Sequence, residues 1–130
     1  YERLAQFESF LPISRVDNTR LLRDLSTGNA KKVGVLAALF PTPELVILDE
    51  PFANLDPSSQ IRLKEILIRA AREENTTMII SGHDLGHVTE VCGRITLLSD
   101  GKISRDIETS PETLSELTNF FTSDETASAT

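Results

Sequence analysis

Two short apolar segments separated by one amphipathic stretch constrain this chain more than any other feature. Leu45-Val46-Ile47-Leu48-Asp49 is a continuous apolar run ending in acid, set off by the breaker Pro41-Thr42-Pro43; this pattern predicts a strand buried on both faces. Asp56-Pro57-Ser58 then reads as a helix start, with Asp56 as N-cap and Pro57 at the first helical position. Ile61, Leu63, Ile66, Leu67, Ala70 and Ala71 follow on or near one stripe, which carries the helix to about Glu74. Residues 77–81 read as a second buried strand. A strand, helix, strand unit of this length makes a right-handed parallel crossover, so both strands are expected in one sheet and the fold class is α/β.

The flanking segments extend this pattern. Residues 1–11 space Leu4, Phe7, Phe10 and Leu11 as a helix does, and a short helix is expected over 84–92. Residues 94–99 and 102–107 read as strands joined at Asp100-Gly101, a hairpin dipeptide, so the sheet is expected to end in a meander. Ser110-Pro111-Glu112-Thr113 can open a last helix containing Leu114, Leu117, Phe120 and Phe121, while 122–130 is polar and expected to be disordered. At 130 residues with 39% apolar content, the chain has room for one modest domain.

Charge narrows the function classes. Twenty acidic residues against thirteen basic ones give a formal charge of −7, the opposite of a nucleic-acid binder's footprint, so no direct nucleic-acid partner is expected. Six acids and no Lys or Arg lie from Asp106 onward, so the acidity belongs mostly to the tail. The longest apolar run, 35–40, is far short of the roughly 20 residues of a membrane span. The lone Cys92 cannot form an internal disulfide and reads as a small core residue in a reducing, cytosolic compartment.

Three groups of residues carry chemistry. The first strand delivers Asp49 and Glu50 at its C-terminal end, where open parallel sheets gather ligands. The first acid suits holding Mg2+ beside a triphosphate and the second suits orienting and deprotonating a water; a solvated turn with a helix cap fits the same two residues. Upstream, Leu25-Ser26-Thr27-Gly28-Asn29 opens an apolar helical stretch, and its backbone N–H groups, Ser hydroxyl and helix dipole suit a terminal phosphate, although an ordinary serine N-cap reads the same way. Downstream, Ser81-Gly82-His83-Asp84 follows the second strand, so His83 is expected at the same sheet edge as Glu50, within reach of a γ-phosphate; a structural histidine is the plain alternative. His87 reads as structural.

Taken in order, these segments resemble the nucleotide-binding domain of ABC ATPases, a P-loop NTPase fold, from residue 1 to about 107. Residues 25–29 resemble the family's signature sequence, 45–50 its Walker B strand, Ala53-Asn54-Leu55-Asp56 its D-loop and 81–84 its switch-histidine loop. Thr27 stands where a glycine is typical and Asn29 where glutamine is typical; the threonine tests the local backbone, because a branched residue tolerates positive φ poorly.

The resemblance implies a head-to-tail dimer in which each ATP lies between one protomer's phosphate loop and the other's signature loop. On that basis Ser26, Thr27, Gly28 and Asn29 would meet the partner's ATP, Asp49 would position Mg2+, Glu50 would act on the water and His83 would contact the γ-phosphate. Asp56 would link the two sites while capping its own helix. The implied assembly adds a second nucleotide-binding domain and a transmembrane permease subunit, with the ATPase peripheral on the cytoplasmic face of the membrane. The chain contains no Gly-x-x-x-x-Gly-Lys-Ser/Thr loop: at its nearest candidate, Gly101-Lys102-Ile103, Thr96 replaces the first glycine and Ile103 the hydroxyl residue. Residues 1–107 are therefore expected to be the C-terminal part of such a domain, inactive alone, and 108–130 an acidic tail. Two other readings stay open at this point: a non-transport ABC ATPase of translation or DNA maintenance, and a noncatalytic regulatory or interaction piece.

Overall fold

The computed structural model describes residues 2–12 and 21–127. Tyr1 and residues 128–130, which the sequence reading assigned to the first helix and the polar end, lie outside the described residues. The elements run α1 (Glu2–Phe10), α2 (Thr27–Leu39), β1 (Leu45–Leu48), α3 (Pro57–Glu73), β2 (Thr77–Ile80), α4 (Leu85–Val91), β3 (Arg94–Ser99), β4 (Lys102–Glu108) and α5 (Thr113–Ala127). The chain divides into two compact units, Tyr1–Gly82 and His83–Thr130.

In the first unit the expected crossover forms. β1 pairs with β2 in parallel, with Leu45 opposite Thr77 and Leu48 opposite Ile80, and α3 connects them. The caps explain the helix boundaries: Ser26 precedes α2 and accepts from the Asn29 N–H, while Asp56 precedes α3, accepts from the Ser59 N–H and is followed by Pro57 at the first helical position. Buried apolar side chains come from one stripe of each helix: Phe7 and Phe10 of α1, Val35, Leu36 and Leu39 of α2, and Leu63, Ile66, Leu67 and Ala70 of α3. Leu4 and Ile61 point away from this stripe and are exposed. Polar groups tie α1 to its neighbours: Arg69 meets Glu2 at 3.1 Å and Glu73 at 2.8 Å, Arg3 meets Glu74 at 3.3 Å, and Arg62 donates to the Ser9 carbonyl.

One expectation for this sheet is corrected. β1 is not buried on both faces: Val46 and Leu48 are buried, but Leu45 is 54% and Ile47 68% exposed, and Ile79 of β2 is 56% exposed. Side chains alternate across a strand, and among the described residues only one face of this two-stranded ladder is covered.

In the second unit, β3 and β4 pair antiparallel as a sheet of their own rather than as the end of the parallel one, a second correction; the tight turn between them makes each the other's ladder partner, from Arg94 opposite Glu108 to Ser99 opposite Lys102. Asp100 and Gly101 both have positive φ, 49° and 73°, the backbone that a two-residue hairpin turn needs. The register shifts between Leu97 and Leu98, which pair with Arg105 and Ile103 and leave Ser104 as the extra residue of a bulge. Val88, Ile95 and Leu117 form the small core, with Leu85, Cys92, Leu97 and Ile107 packed against it. Burial pushes the Cys92 thiol above its ordinary value, which suits an inert packing residue. Helix α5 continues to Ala127, beyond Thr122 where disorder was expected to begin; the Thr118 and Thr122 hydroxyls donate to the Leu114 and Thr118 carbonyls at 2.7 and 3.1 Å, satisfying polar side chains inside the helix. No helix among the described residues is long and apolar enough to cross a membrane.

Candidate functional site

The parallel register builds the centre of the site. Beyond the last strand pair, the Ser81 N–H donates to the Leu48 carbonyl at 2.9 Å, adding a rung to the ladder and setting Ser81 level with Asp49. The Ser81 hydroxyl then uses both its capacities: it accepts from the Glu50 N–H at 2.9 Å and donates to Asp49 Oδ1 at 2.5 Å. One hydroxyl on β2's exit thus fixes the two adjacent acids on β1's exit. The sequence reading placed Ser81 in the loop but gave it no task; the signal was available, because parallel strands of equal length end at the same level.

Glu50 is held further by its carbonyl. This oxygen accepts from Lys31 Nζ of α2 at 2.7 Å and from the Ala53 N–H at 3.2 Å, the latter closing a turn with Pro51 at its favoured second position. Glu50 itself has φ of 48°, a left-handed conformation that costs a side-chain-bearing residue roughly 1–2 kcal/mol. Such strain persists only where the surroundings over-determine the backbone, as bonds to both of Glu50's backbone polar groups do here.

The first turn of α2 packs against the same segment. A Cβ on Gly28 would stand 3.0 Å from the Asn54 carbonyl oxygen, closer than all but a few real contacts, so glycine permits the approach. Asn54 is itself left-handed, φ 61°, a region its short polar side chain tolerates. Lys32 lies 3.8 Å from Asp56 and its ammonium sits 5.4 Å from the centre of the Phe10 ring. Thr27 takes no positive φ: it starts the helix directly after the Ser26 cap, so the branched residue is accommodated. Ser26, Thr27 and Asn29 are exposed and no acidic residue occupies this helix's first turn, leaving the positive end of its dipole open to an anion.

Asp56 is a thorough cap. Its carboxylate accepts from the Ser59 hydroxyl at 2.6 Å, the Ser59 N–H at 3.0 Å and the Ser58 hydroxyl at 2.9 Å. These bonds, the Ser59 hydroxyl foremost, hold its pKa far below the usual carboxylate range. His83, by contrast, lies exposed at the bend that opens the second unit. There Asp84 caps α4 through the His87 N–H at 3.2 Å and lies 3.7 Å from His87 Nε2, which accords with a structural His87. The structure thus brings Asp49, Glu50, Ser26–Asn29 and Asp56 into one unit, with Ser81 and Lys31 as additions.

A family profile described as "AAA domain, putative AbiEii toxin, Type IV TA system" matches residues 9–88, more than half of the chain. The chain belongs to this AAA-domain family. Its curated relatives are ABC transporter ATP-binding proteins. An uncharacterised one from Alkalihalophilus pseudofirmus is 40% identical over 64% of this chain and 31% of its own length. The aliphatic sulfonates import ATP-binding protein SsuB 1 of Pseudomonas syringae is 36% identical over 64% of this chain and 31% of its own. The chain therefore spans about a third of the length of the curated relatives it matches. Among solved structures, the ATP-binding cassette MJ0796, a dimer in a post-hydrolysis state bound to ADP and Pi, superposes with a TM-score of 0.68 over 84% of this chain and 45% of that one at 23% identity. An ATP-binding subunit of an ABC transporter gives 0.69 over 91% and 48% at 22% identity. The fold is that of part of the ABC ATPase domain, a partial P-loop NTPase fold.

Proposed function

We propose that this chain supplies the signature, Walker B and D-loop portion of an ABC transporter ATP-binding subunit, peripheral on the cytoplasmic face of the membrane, and that residues 108–130 are an appended tail. Two such subunits, each with a phosphate-binding loop, would close head to tail on ATP and drive a transmembrane permease partner. Without that loop residues 1–130 would not turn ATP over. The observation that carries the reading is the Ser81 hydroxyl joining Asp49 and Glu50 at the end of the parallel ladder. It leaves two adjacent carboxylates oriented on a fixed backbone, as a metal ligand and a base must be.

The residues fit the groups this function requires. Among the described residues, no three His, Cys, Asp or Glu side chains gather as a metal cage. Mg2+ does not need one: it keeps several waters and takes its remaining oxygens from phosphates, so the exposed Asp49 carboxylate suffices as the protein's ligand. Bound Mg2+ would neutralise charge developing on the transferred phosphoryl group. Ser26, Thr27, Gly28 and Asn29, at a helix N-terminus without acidic neighbours, would receive the γ-phosphate of the partner's ATP. Glu50 would take the proton of the attacking water, and His83 would hydrogen-bond the γ-phosphate of the same chain's nucleotide.

In the full-length protein, Glu50→Gln is expected to bind ATP as the wild type does, lose turnover by about 100-fold or more, and accumulate as a closed dimer. Near-normal turnover would remove Glu50 from the role of base. His83→Ala is expected to impair hydrolysis more than ATP binding; loss of fold with normal chemistry in the surviving fraction would make it structural.

A further inference from the structure

We infer that Lys31 is a positioning residue for Glu50, an assignment that rests on the proposed role of Glu50 and adds a residue to it. Lys31 lies one turn into α2, five residues after the Ser26 cap, yet its ammonium does not turn to solvent. It donates to the Glu50 carbonyl at 2.7 Å across a sequence separation of 19 residues, in a half-buried setting. A charge-assisted hydrogen bond of this kind is stronger than a neutral one. Its target is the peptide that follows a left-handed Glu50, whose N–H is already held by Ser81.

The consequence is mechanical. Glu50 stands two residues past the end of β1 at Leu48. Side chains from two other segments hold its backbone: Ser81 from β2's exit on its N–H, and Lys31 from the signature helix on its C=O. The Ala53 N–H shares that carbonyl at 3.2 Å but belongs to the same turn, so it moves with Glu50 rather than anchoring it. Lys31 is the anchor to a separate element. Because Gly28 abuts the Asn54 carbonyl and Lys32 reaches Asp56, the signature turn and the segment 50–56 form one block, and Lys31 is its contact with the carboxylate-bearing residue itself. A ligand seated on 26–29 would thereby bear on the backbone of Glu50.

The test uses full-length protein. Lys31→Met keeps the aliphatic stem and removes the donor, Lys31→Arg keeps a donor, and Lys31→Leu stands in if the methionine variant does not fold. For the neutral variants kcat for ATP is expected to fall about tenfold, with KM for ATP moving by less than about twofold, since the loss is of orientation and not of nucleotide binding. Lys31→Arg should restore most of the loss. In nucleotide-free protein, deuterium uptake of a peptide spanning 49–54 should rise in the neutral variants, a readout independent of turnover. In a Glu50→Gln background the same substitution should cost little further, because a residue acting through Glu50 has nothing left to position. An unchanged kcat, or an equal further loss in that background, overturns the assignment. Should Glu50→Gln itself turn over normally, the role of Glu50 fails first; unchanged uptake over 49–54 would then also remove the anchor.

Discussion

The two compact units use the same kinds of residue to different ends. In the first, polar groups near the strand ends bond across elements: Ser81 of one strand's exit to Asp49 and Glu50 of the other's, Lys31 of a helix to Glu50, Lys32 to Asp56. In the second, the exposed charged pair lies within one hairpin, and the Thr109 hydroxyl reaches the Cys92 carbonyl at 2.6 Å. Arg94 and Asp106 face each other across one hairpin, and the Ser110 N–H donates to the Thr113 hydroxyl at the start of the last helix. The hydrophobic support differs in the same sense, from buried stripes on three helices in the first unit to Val88, Ile95 and Leu117 in the second. Positioning a carboxylate from two elements needs a rigid layer beneath it, whereas a hairpin's cross-strand pair needs only its own register.

That contrast breaks most easily in the core. Leu63 is fully buried on α3 and Leu117 is 1% exposed on α5. Leu63→Ala is expected to cost about 3–5 kcal/mol in denaturant unfolding of the full-length protein, because stripes from several helices cannot all collapse onto the gap. Leu117→Ala should sit nearer 2 kcal/mol, since a small cluster relaxes more completely. Equal costs, or the reverse order, would mean that the second unit's core is larger than the three buried apolar residues described in it.

The next effect is electrostatic. Asp56 has a pKa held far below its ordinary value by the Ser59 and Ser58 donors and, last, by Lys32. A carboxylate whose folded pKa is depressed adds stability that is fully present above its unfolded pKa, near 4, and is lost as the pH falls toward the folded value. Asp56→Asn keeps a side-chain acceptor at the N-cap but removes the charge. Its Tm deficit at pH 7 should be roughly 2–4 °C and should shrink steadily below pH 4. A deficit that does not change with pH would assign the effect to geometry and not to the ionised carboxylate.

Much of this was legible in the sequence because it depends on local pattern. The Asp56-Pro57 start of α3, the crossover from β1 to β2 and the Asp100-Gly101 hairpin each follow from a few adjacent residues, and all are present. The adjacent acids and the Ser26 cap were legible for the same reason. The exposed face of β1 was not: apolar composition at Leu45 and Ile47 says that a residue can be buried, while burial itself depends on which layers are there to cover it. Ser81 and Lys31 were missed because their tasks arise from register and from a helix's approach, across 31 and 19 residues of chain. The left-handed Glu50 carries no glycine to announce it, and bonds to its N–H and C=O hold the conformation.

The smallest effect sharpens the comparison from the other side. Arg94 reaches Asp106 through two bonds, Nε to Oδ1 at 2.8 Å and Nη2 to Oδ2 at 2.5 Å, and these raise the arginine's pKa and lower the aspartate's. The geometry is bidentate, yet the Arg94 side chain is 71% exposed, where water and salt screen the attraction. Arg94→Gln should therefore lower Tm by no more than about 2 °C at low salt and by less at 0.5 M salt. Because the turn at Asp100-Gly101 and the bulge at Ser104 set the register independently, cross-strand contacts of β3 with β4 in NMR spectra of the variant should be unchanged. Loss of those contacts would show that the hairpin, like the carboxylates of the first unit, depends on a side-chain tether for its placement, and the distinction between the two units would fail at that point.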